Sequence, residues 1–106
     1  MAKAFDLRLL HRRWVHSHEE DGADGRVYRP ASFAFPRSRG RESMELRADG
    51  TLVETGPASD DRRRTATGTW SLEGAPAASL RLRTEGAAER RLTVIELEDD
   101  RLVVRP

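Results

Sequence analysis

The sequence contains no cysteine, a single lysine, and no apolar run near the roughly 20 residues that a transmembrane helix needs. Without cysteine, the chain cannot form disulfides, cysteine-ligated zinc sites, iron–sulfur clusters or a thiol nucleophile. The first ten residues include Asp6 and Arg8, where a secretory signal would carry an unbroken apolar stretch. We therefore expect a cytoplasmic protein with no disulfide and no membrane span.

An excess of charge of one sign is also missing. The 19 basic side chains are balanced by 18 acidic ones, whereas dedicated nucleic-acid-binding domains usually carry a clear basic excess. We therefore expect neither nucleic acid nor membrane among the partners. Charged residues make up 35% of the chain, but apolar side chains recur at regular spacing, which is typical of a folded protein. A length of 106 residues predicts one domain that spans residues 1–106.

Sequence motifs of common enzymes are not found. The chain has no G-x-S-x-G element, and Gly40, Gly50 and Gly56 are isolated turn glycines that do not form a phosphate-binding loop. Ser17 follows His16 directly, but consecutive side chains of a strand point to opposite faces, so the histidine cannot activate the serine. The sequence therefore predicts a protein that is not an enzyme and binds no cofactor.

Alternation of apolar and polar residues is the main structural signal. Residues 64–73 alternate strictly, with one face made of Ala66, Gly68, Trp70 and Leu72. Residues 42–48 and 51–55 alternate as well, and Asp49-Gly50 between them predicts a hairpin with a type I′ turn. At Val94 and Ile95 the apolar phase switches, which indicates either a β-bulge or burial on both faces.

These patterns predict about eight short strands after a short helix or turn within residues 4–13. The strands are expected at residues 14–19, 26–35, 42–48, 51–55, 64–73, 79–84, 91–98 and 101–105. Pro30 marks a bulge, an edge or a break in the second of them, because proline donates no hydrogen bond to a ladder. No connection is long enough for a crossover helix, so the strands must pair antiparallel.

The predicted fold class is all-β, a single antiparallel up-and-down barrel of about eight strands with a short N-terminal helix. The inward-facing side chains are expected to be Trp14, Tyr28, Phe33, Phe35, Met44, Leu46, Leu52, Trp70, Leu72, Leu80, Leu82, Leu92, Val94, Leu102 and Val104. An eight-stranded barrel can be filled by side chains or can hold one small ligand. Gly68 and Ala66 either leave a cavity or let the sheet bend, and the sequence leaves both possibilities open.

Several short segments together resemble a known superfamily. They are Trp14, residues 27–30, Phe33 with Phe35-Pro36, residues 38–41, Asp49-Gly50, Gly56-Pro57, residues 68–70 and residues 101–104. In this pattern the chain resembles the calycins, which include lipocalins and fatty-acid-binding proteins, and looks most like small bacterial lipocalin-like domains of unknown function. Lipocalins carry glycine two residues before the first-strand tryptophan, where this chain has Arg12. The resemblance implies a ligand-binding barrel in which Arg101 or Arg105 packs across Trp14 to close one end.

Two polar clusters have more than one interpretation. His16 and His18 share one side of a strand and precede three acidic residues, which is compatible with a metal site, but a polar strand end is the favoured interpretation and no metal is predicted. Arg37, Arg39 and Arg41 lie in a loop that either holds an anionic group or is simply solvated.

The favoured function is non-enzymatic binding of a small apolar or acidic molecule by a monomer or weak homodimer. The candidate ligand-binding residues are Tyr28, Phe33, Phe35, Met44, Trp70, Leu80, Leu92 and Arg39. The alternative is a structural or protein-interaction module with a filled barrel core. Single-stranded nucleic-acid binding would require a stripe of arginine and aromatic side chains on one outer face.

Overall fold

A computed structural model describes residues 7–37, 40–57, 63–73, 78–86 and 88–106, and these ranges contain eight β-strands. The strands are β1 (Arg13–His16), β2 (Arg26–Pro30), β3 (Ser43–Leu46), β4 (Thr51–Pro57), β5 (Arg63–Glu73), β6 (Ser79–Thr84), β7 (Arg90–Glu98) and β8 (Arg101–Arg105). Two short 3-10 turns, Leu7–Leu10 and His18–Glu20, are the helical segments in the described ranges.

All eight strands form one closed antiparallel barrel, which confirms the predicted fold class. The order around the barrel is β1-β2-β8-β7-β6-β5-β4-β3, and β3 pairs with β1 to close it. The chain follows sequence order from β3 to β8, but β1 lies between β2 and β3. The connection from β2 to β3 therefore passes β1, and we call its described residues, 31–37 and 40–42, the strap.

Alternating side chains fill the interior. Trp14, Leu46, Leu52, Leu80, Leu102 and Val104 are each 0% exposed, and they share one cluster with Tyr28, Met44, Leu82, Val94 and Leu97. Trp70, Leu72 and Leu92 pack against this cluster and are half-buried. The period-two pattern therefore identified most of the inward-facing side chains correctly, because burial on one face of each strand requires that pattern.

The Leu7–Leu10 turn closes one end of the barrel. Leu10 is 1% exposed and belongs to the interior cluster, and its carbonyl oxygen accepts a hydrogen bond of 3.3 Å from Trp14 Nε1. At the same end, the His11 ring lies 5.8 Å from the Trp70 ring. The sequence predicted a short helix or turn here, and its structural role is to cap the interior with Leu10.

The predicted hairpin at Asp49-Gly50 is present, with a different turn geometry. Gly50 N donates to the Arg47 carbonyl at 3.0 Å, which places Ala48 and Asp49 at the centre of the turn. Gly50 follows with a φ of 90°, as expected for a three-residue loop that ends in a left-handed glycine. Since Thr51 N also binds Asp49 Oδ1 at 2.9 Å, the aspartate stabilises this loop and does not occupy a type I′ turn.

The phase switch in β7 is a β-bulge. The register between β7 and β8 shifts between Val94 and Glu96, so that Val94 and Leu97 both face the interior. Ile95 is 39% exposed as a result. Of the two interpretations offered by the sequence, the bulge is the one that the structure supports.

The strap places Phe33 and Phe35 outside the barrel, which corrects their predicted inward orientation. Their rings meet edge to face with centroids 5.0 Å apart. Phe33 lies under the Arg29 guanidinium at 4.7 Å, and Phe35 lies under that of Arg41 at 4.8 Å. Arg29 follows the inward-facing Tyr28, so its side chain projects outward. Strand β2 ends at Pro30 because the chain leaves the sheet there, and the alternation of residues 31–35 therefore has no sheet to face.

Several valines on the outer face are buried although they point away from the interior. Val15, Val27 and Val103 are 9%, 2% and 3% exposed and do not belong to the interior cluster. Val27 and Val103 pair directly across β2 and β8. Residues 17–25 and the strap run over this side, and the barrel therefore carries a second, small apolar layer beside β1 and β2. No helix in the described ranges has the length and apolar character to cross a membrane.

Candidate functional site

The end of the barrel opposite the Leu7–Leu10 turn opens into a cavity of about 740 Å³. Its apolar lining comes from Tyr28, Met44, Ala66, Leu82 and Leu92. Tyr28, Met44 and Leu82 are 6%, 3% and 1% exposed and belong to the interior cluster, so the floor of the cavity is the top of the packed core. The lumen is thus filled at one end and open at the other, which the sequence could not decide.

Tyr28 brings a polar group to the lining of this cavity. Its side chain is 6% exposed and belongs to the interior cluster. Burial raises the pKa of the Tyr28 phenol, so the group stays protonated at physiological pH and can donate.

Two ion pairs cross the mouth of the cavity. Arg26 in β2 binds Glu42 Oε2 at 3.1 Å, and Arg90 in β7 binds Glu54 in β4. In neither pair do the two residues come from strands that are neighbours in the barrel. Each pair therefore connects separate parts of the rim that surrounds the mouth. Arg64 also lines the cavity and forms no ion pair within the described residues. The opening is therefore ringed by charge, whereas the floor is apolar.

The predicted ligand-binding residues are split between different places. Tyr28, Met44 and Leu92 line the cavity. Leu80 lies below it in the filled core, and Trp70 lies near the closed end, where its Nε1 donates to the Arg47 carbonyl at 2.8 Å. Phe33 and Phe35 lie in the strap, and Arg39 lies outside the described residues.

The resemblance to calycins implied that Arg101 or Arg105 packs across Trp14, but the structure places a different arginine there. Arg101 pairs with Glu96 at 3.1 Å, and Arg105 Nη2 donates to the Asp24 carbonyl at 3.2 Å. The guanidinium that lies over the Trp14 ring is that of Arg12, 5.4 Å from the ring centroid. Arg12 also donates to the Asp99 carbonyl at 2.6 Å, so it connects the N-terminal segment to the β7–β8 turn.

Residues that the sequence analysis did not assign to the site share a simple signal. Arg26, Glu42, Glu54 and Arg90 each stand two positions from an inward-facing apolar residue on the same segment. Extending the period-two alternation one step past the last apolar residue would have placed them inward, at the mouth.

His16 lies beside the cavity with a defined set of partners. Its side chain is 13% exposed, Nε2 is 2.8 Å from Asp21 Oδ2, and Nδ1 is 3.2 Å from Arg26 Nη2. The His18 ring is 6.1 Å away and its side chain is 50% exposed. The described residues hold no group of three histidine or carboxylate side chains that is arranged to bind a metal ion.

Two acidic residues anchor the strap and the outer layer. Arg29 binds both carboxylate oxygens of Glu20 at 2.6 and 2.8 Å, and Arg41 binds Glu19. The Arg41 hydrogen bond lowers the pKa of Glu19 from 4.5 to about 2, and the Arg29 hydrogen bond lowers that of Glu20 to about 2. Because these pKa values are depressed by folding, the stabilisation is present above pH 4.5 and is lost as the pH falls towards 2.

We therefore expect Glu20→Gln to lower the free energy of unfolding at pH 7 by about 0.5–1 kcal/mol, the range of screened ion pairs. The difference from the parent protein should shrink as the pH falls towards 2, because the parent carboxylate is then protonated as well. Urea titrations at a series of pH values measure both quantities. Glu85→Gln is the control, since Glu85 is exposed and has no ion pair within the described residues. An equal loss in the two variants would contradict the assignment.

Comparison of the chain with protein-family models, curated proteins and solved structures found no match.

Proposed function

We propose that this protein binds a small apolar or amphipathic molecule in the cavity at the open end of its barrel, without catalysing a reaction. The observation that carries the proposal is the cavity of about 740 Å³ whose floor is made of core side chains. Small-molecule sites usually enclose about 300–1,000 Å³ and combine an apolar wall with a few polar groups. We also propose that the protein is calycin-like and lies in the cytoplasm.

Each part of the site has a distinct role in this proposal. Leu82, Leu92 and Met44 desolvate the apolar body of the ligand, and burial of that surface supplies most of the affinity, at about 25 cal/mol per Å². The Tyr28 hydroxyl, on a residue that lines the cavity, fixes the orientation by donating to an acceptor on the ligand. The charged rim keeps the mouth hydrated and accepts the polar end of an amphipathic molecule.

Filling the cavity tests the proposal. Ala66 lines the cavity on β5, and Ala66→Trp should weaken binding of the neutral fluorescent probe N-phenyl-1-naphthylamine by at least about tenfold, because the indole occupies the ligand volume. Ser71→Trp is the matched control, since Ser71 is an exposed, outward-facing residue of the same strand. Probe fluorescence gives the dissociation constants, and circular dichroism verifies that both variants are folded.

Equal affinities in the two variants would place the probe elsewhere and contradict the proposal. If the parent protein binds no probe and instead forms a concentration-dependent dimer in analytical ultracentrifugation, the alternative of a protein-interaction module takes its place.

A further inference from the structure

The His16 side chain lies between those of Asp21 and Arg26, and these two contacts determine which ring nitrogen carries the proton. Arg26 Nη2 lies 3.2 Å from His16 Nδ1, and a guanidinium has only donors, so Nδ1 must accept. The ring proton therefore resides on Nε2, which donates to Asp21 Oδ2 at 2.8 Å. In this state the imidazole is neutral, and protonation at Nδ1 would require Arg26 to move away.

Arg26 connects His16 with the cavity. The same guanidinium nitrogen also donates to Glu42 Oε2 at 3.1 Å, and the side chain lines the cavity. Its guanidinium carbon is 5.8 Å from the centre of the Tyr28 ring, and the Tyr28 ring in turn lies 5.3 Å from that of His16. A group entering the cavity can thus reach Arg26 without displacing any strand.

The other charged and titratable groups near His16 contact its backbone or lie farther from its ring than Arg26 does. Arg41 Nη1 donates to the His16 carbonyl at 3.2 Å, and the backbone N–H of His16 donates to the Glu42 carbonyl at 2.8 Å. The His18 ring, 6.1 Å away, is the nearest second imidazole in the described residues. Once Arg26 moves, the Asp21 carboxylate is the charged group that stays hydrogen-bonded to the ring, at Nε2.

We propose that the cavity takes ligands with an anionic group bound by Arg26, and that this binding is linked to the uptake of a proton by His16. The inference rests on the proposed function, because it requires a ligand in the cavity. An anion beside Arg26 neutralises its charge and draws the guanidinium from Nδ1, which then accepts a proton. The imidazolium remains paired with Asp21. Since the bound state holds more protons than the free state, affinity for anions increases as the pH falls.

Two probes with the same aromatic body test this linkage. The affinity for the anionic 1-anilinonaphthalene-8-sulfonate should rise about tenfold between about pH 8 and about pH 5.5, a range in which histidine changes charge and carboxylates ordinarily do not. The affinity for neutral N-phenyl-1-naphthylamine should change less than about twofold over the same range. Calorimetry in buffers of different ionisation enthalpy should detect net proton uptake on binding of the anion alone.

Variants identify the group that takes up the proton. His16→Gln keeps a polar side chain at the site but does not titrate, so the pH dependence and the proton uptake should be lost. His18→Gln is the matched control and should retain both, because the His18 ring lies 6.1 Å from that of His16 and its side chain is 50% exposed. If His16→Gln does not fold, the calorimetric proton count of the parent protein still decides between the outcomes.

The possible failures are distinguishable. If both probes bind with the same pH dependence, or if the dependence persists in His16→Gln, the proton linkage is wrong and the cavity proposal stands. If neither probe binds at any pH, the proposed function itself is wrong, and the linkage is overturned with it.

Discussion

Replacing Trp14 with alanine is expected to lower the free energy of unfolding by about 3–5 kcal/mol, the usual cost of truncating a fully buried aromatic side chain. Trp14 is 0% exposed and belongs to the interior cluster. The substitution leaves a void in the core and removes the hydrogen bond from Nε1 to the Leu10 carbonyl. Small domains are stabilised by only about 5–15 kcal/mol in total, so this loss is a large fraction of the stability.

Urea denaturation followed by circular dichroism measures this loss directly. Trp70→Ala is the matched comparison. Trp70 is the other of the two tryptophans in the chain, and its side chain is half-buried near the closed end of the barrel. We expect Trp70→Ala to cost less than half as much. Equal losses would contradict the conclusion that Trp14 is more deeply buried in the interior than Trp70.

Replacing Gly68 with alanine is the second substitution with a large expected effect. A Cβ atom on Gly68 would lie 1.9 Å from the carbonyl oxygen of Arg83 and 2.7 Å from the Cα of Thr84. Both contacts are with the backbone of β6, which cannot yield as a flexible side chain would, and Gly68 pairs with Thr84 in the β5–β6 ladder. The two strands must separate locally, and we expect a loss of about 3 kcal/mol or more.

Gly22→Ala is the control for this prediction, because no heavy atom lies within 4 Å of a Cβ at that position. It should change stability by less than about 0.5 kcal/mol. Thermal unfolding of the two variants beside the parent protein provides the measurement. A Gly68→Ala protein as stable as the parent would show that the close approach of β5 and β6 is not required for the fold.

The candidate site was only partly predictable. Tyr28, Met44 and Leu92, which the sequence analysis named as ligand-binding candidates, line the cavity. Phe33 and Phe35 continue the alternation of β2 in sequence but belong to the strap, because the chain leaves the sheet at Pro30. A sequence pattern cannot reveal that departure, since an aromatic side chain can pack against a guanidinium outside the barrel or against leucine inside it.

Local sequence alone determined the number of strands, most of their positions and the hairpin after β3, because each depends on residue alternation or turn chemistry within a few neighbours. The short connections determined the antiparallel pairing, and the phase switch in β7 was compatible with the bulge. The tertiary structure alone decided that β1 lies between β2 and β3, that Arg12 covers Trp14, and that the lumen is filled at one end and open at the other. Those features depend on how side chains from distant segments share one enclosed volume, and no short stretch of the chain encodes that volume.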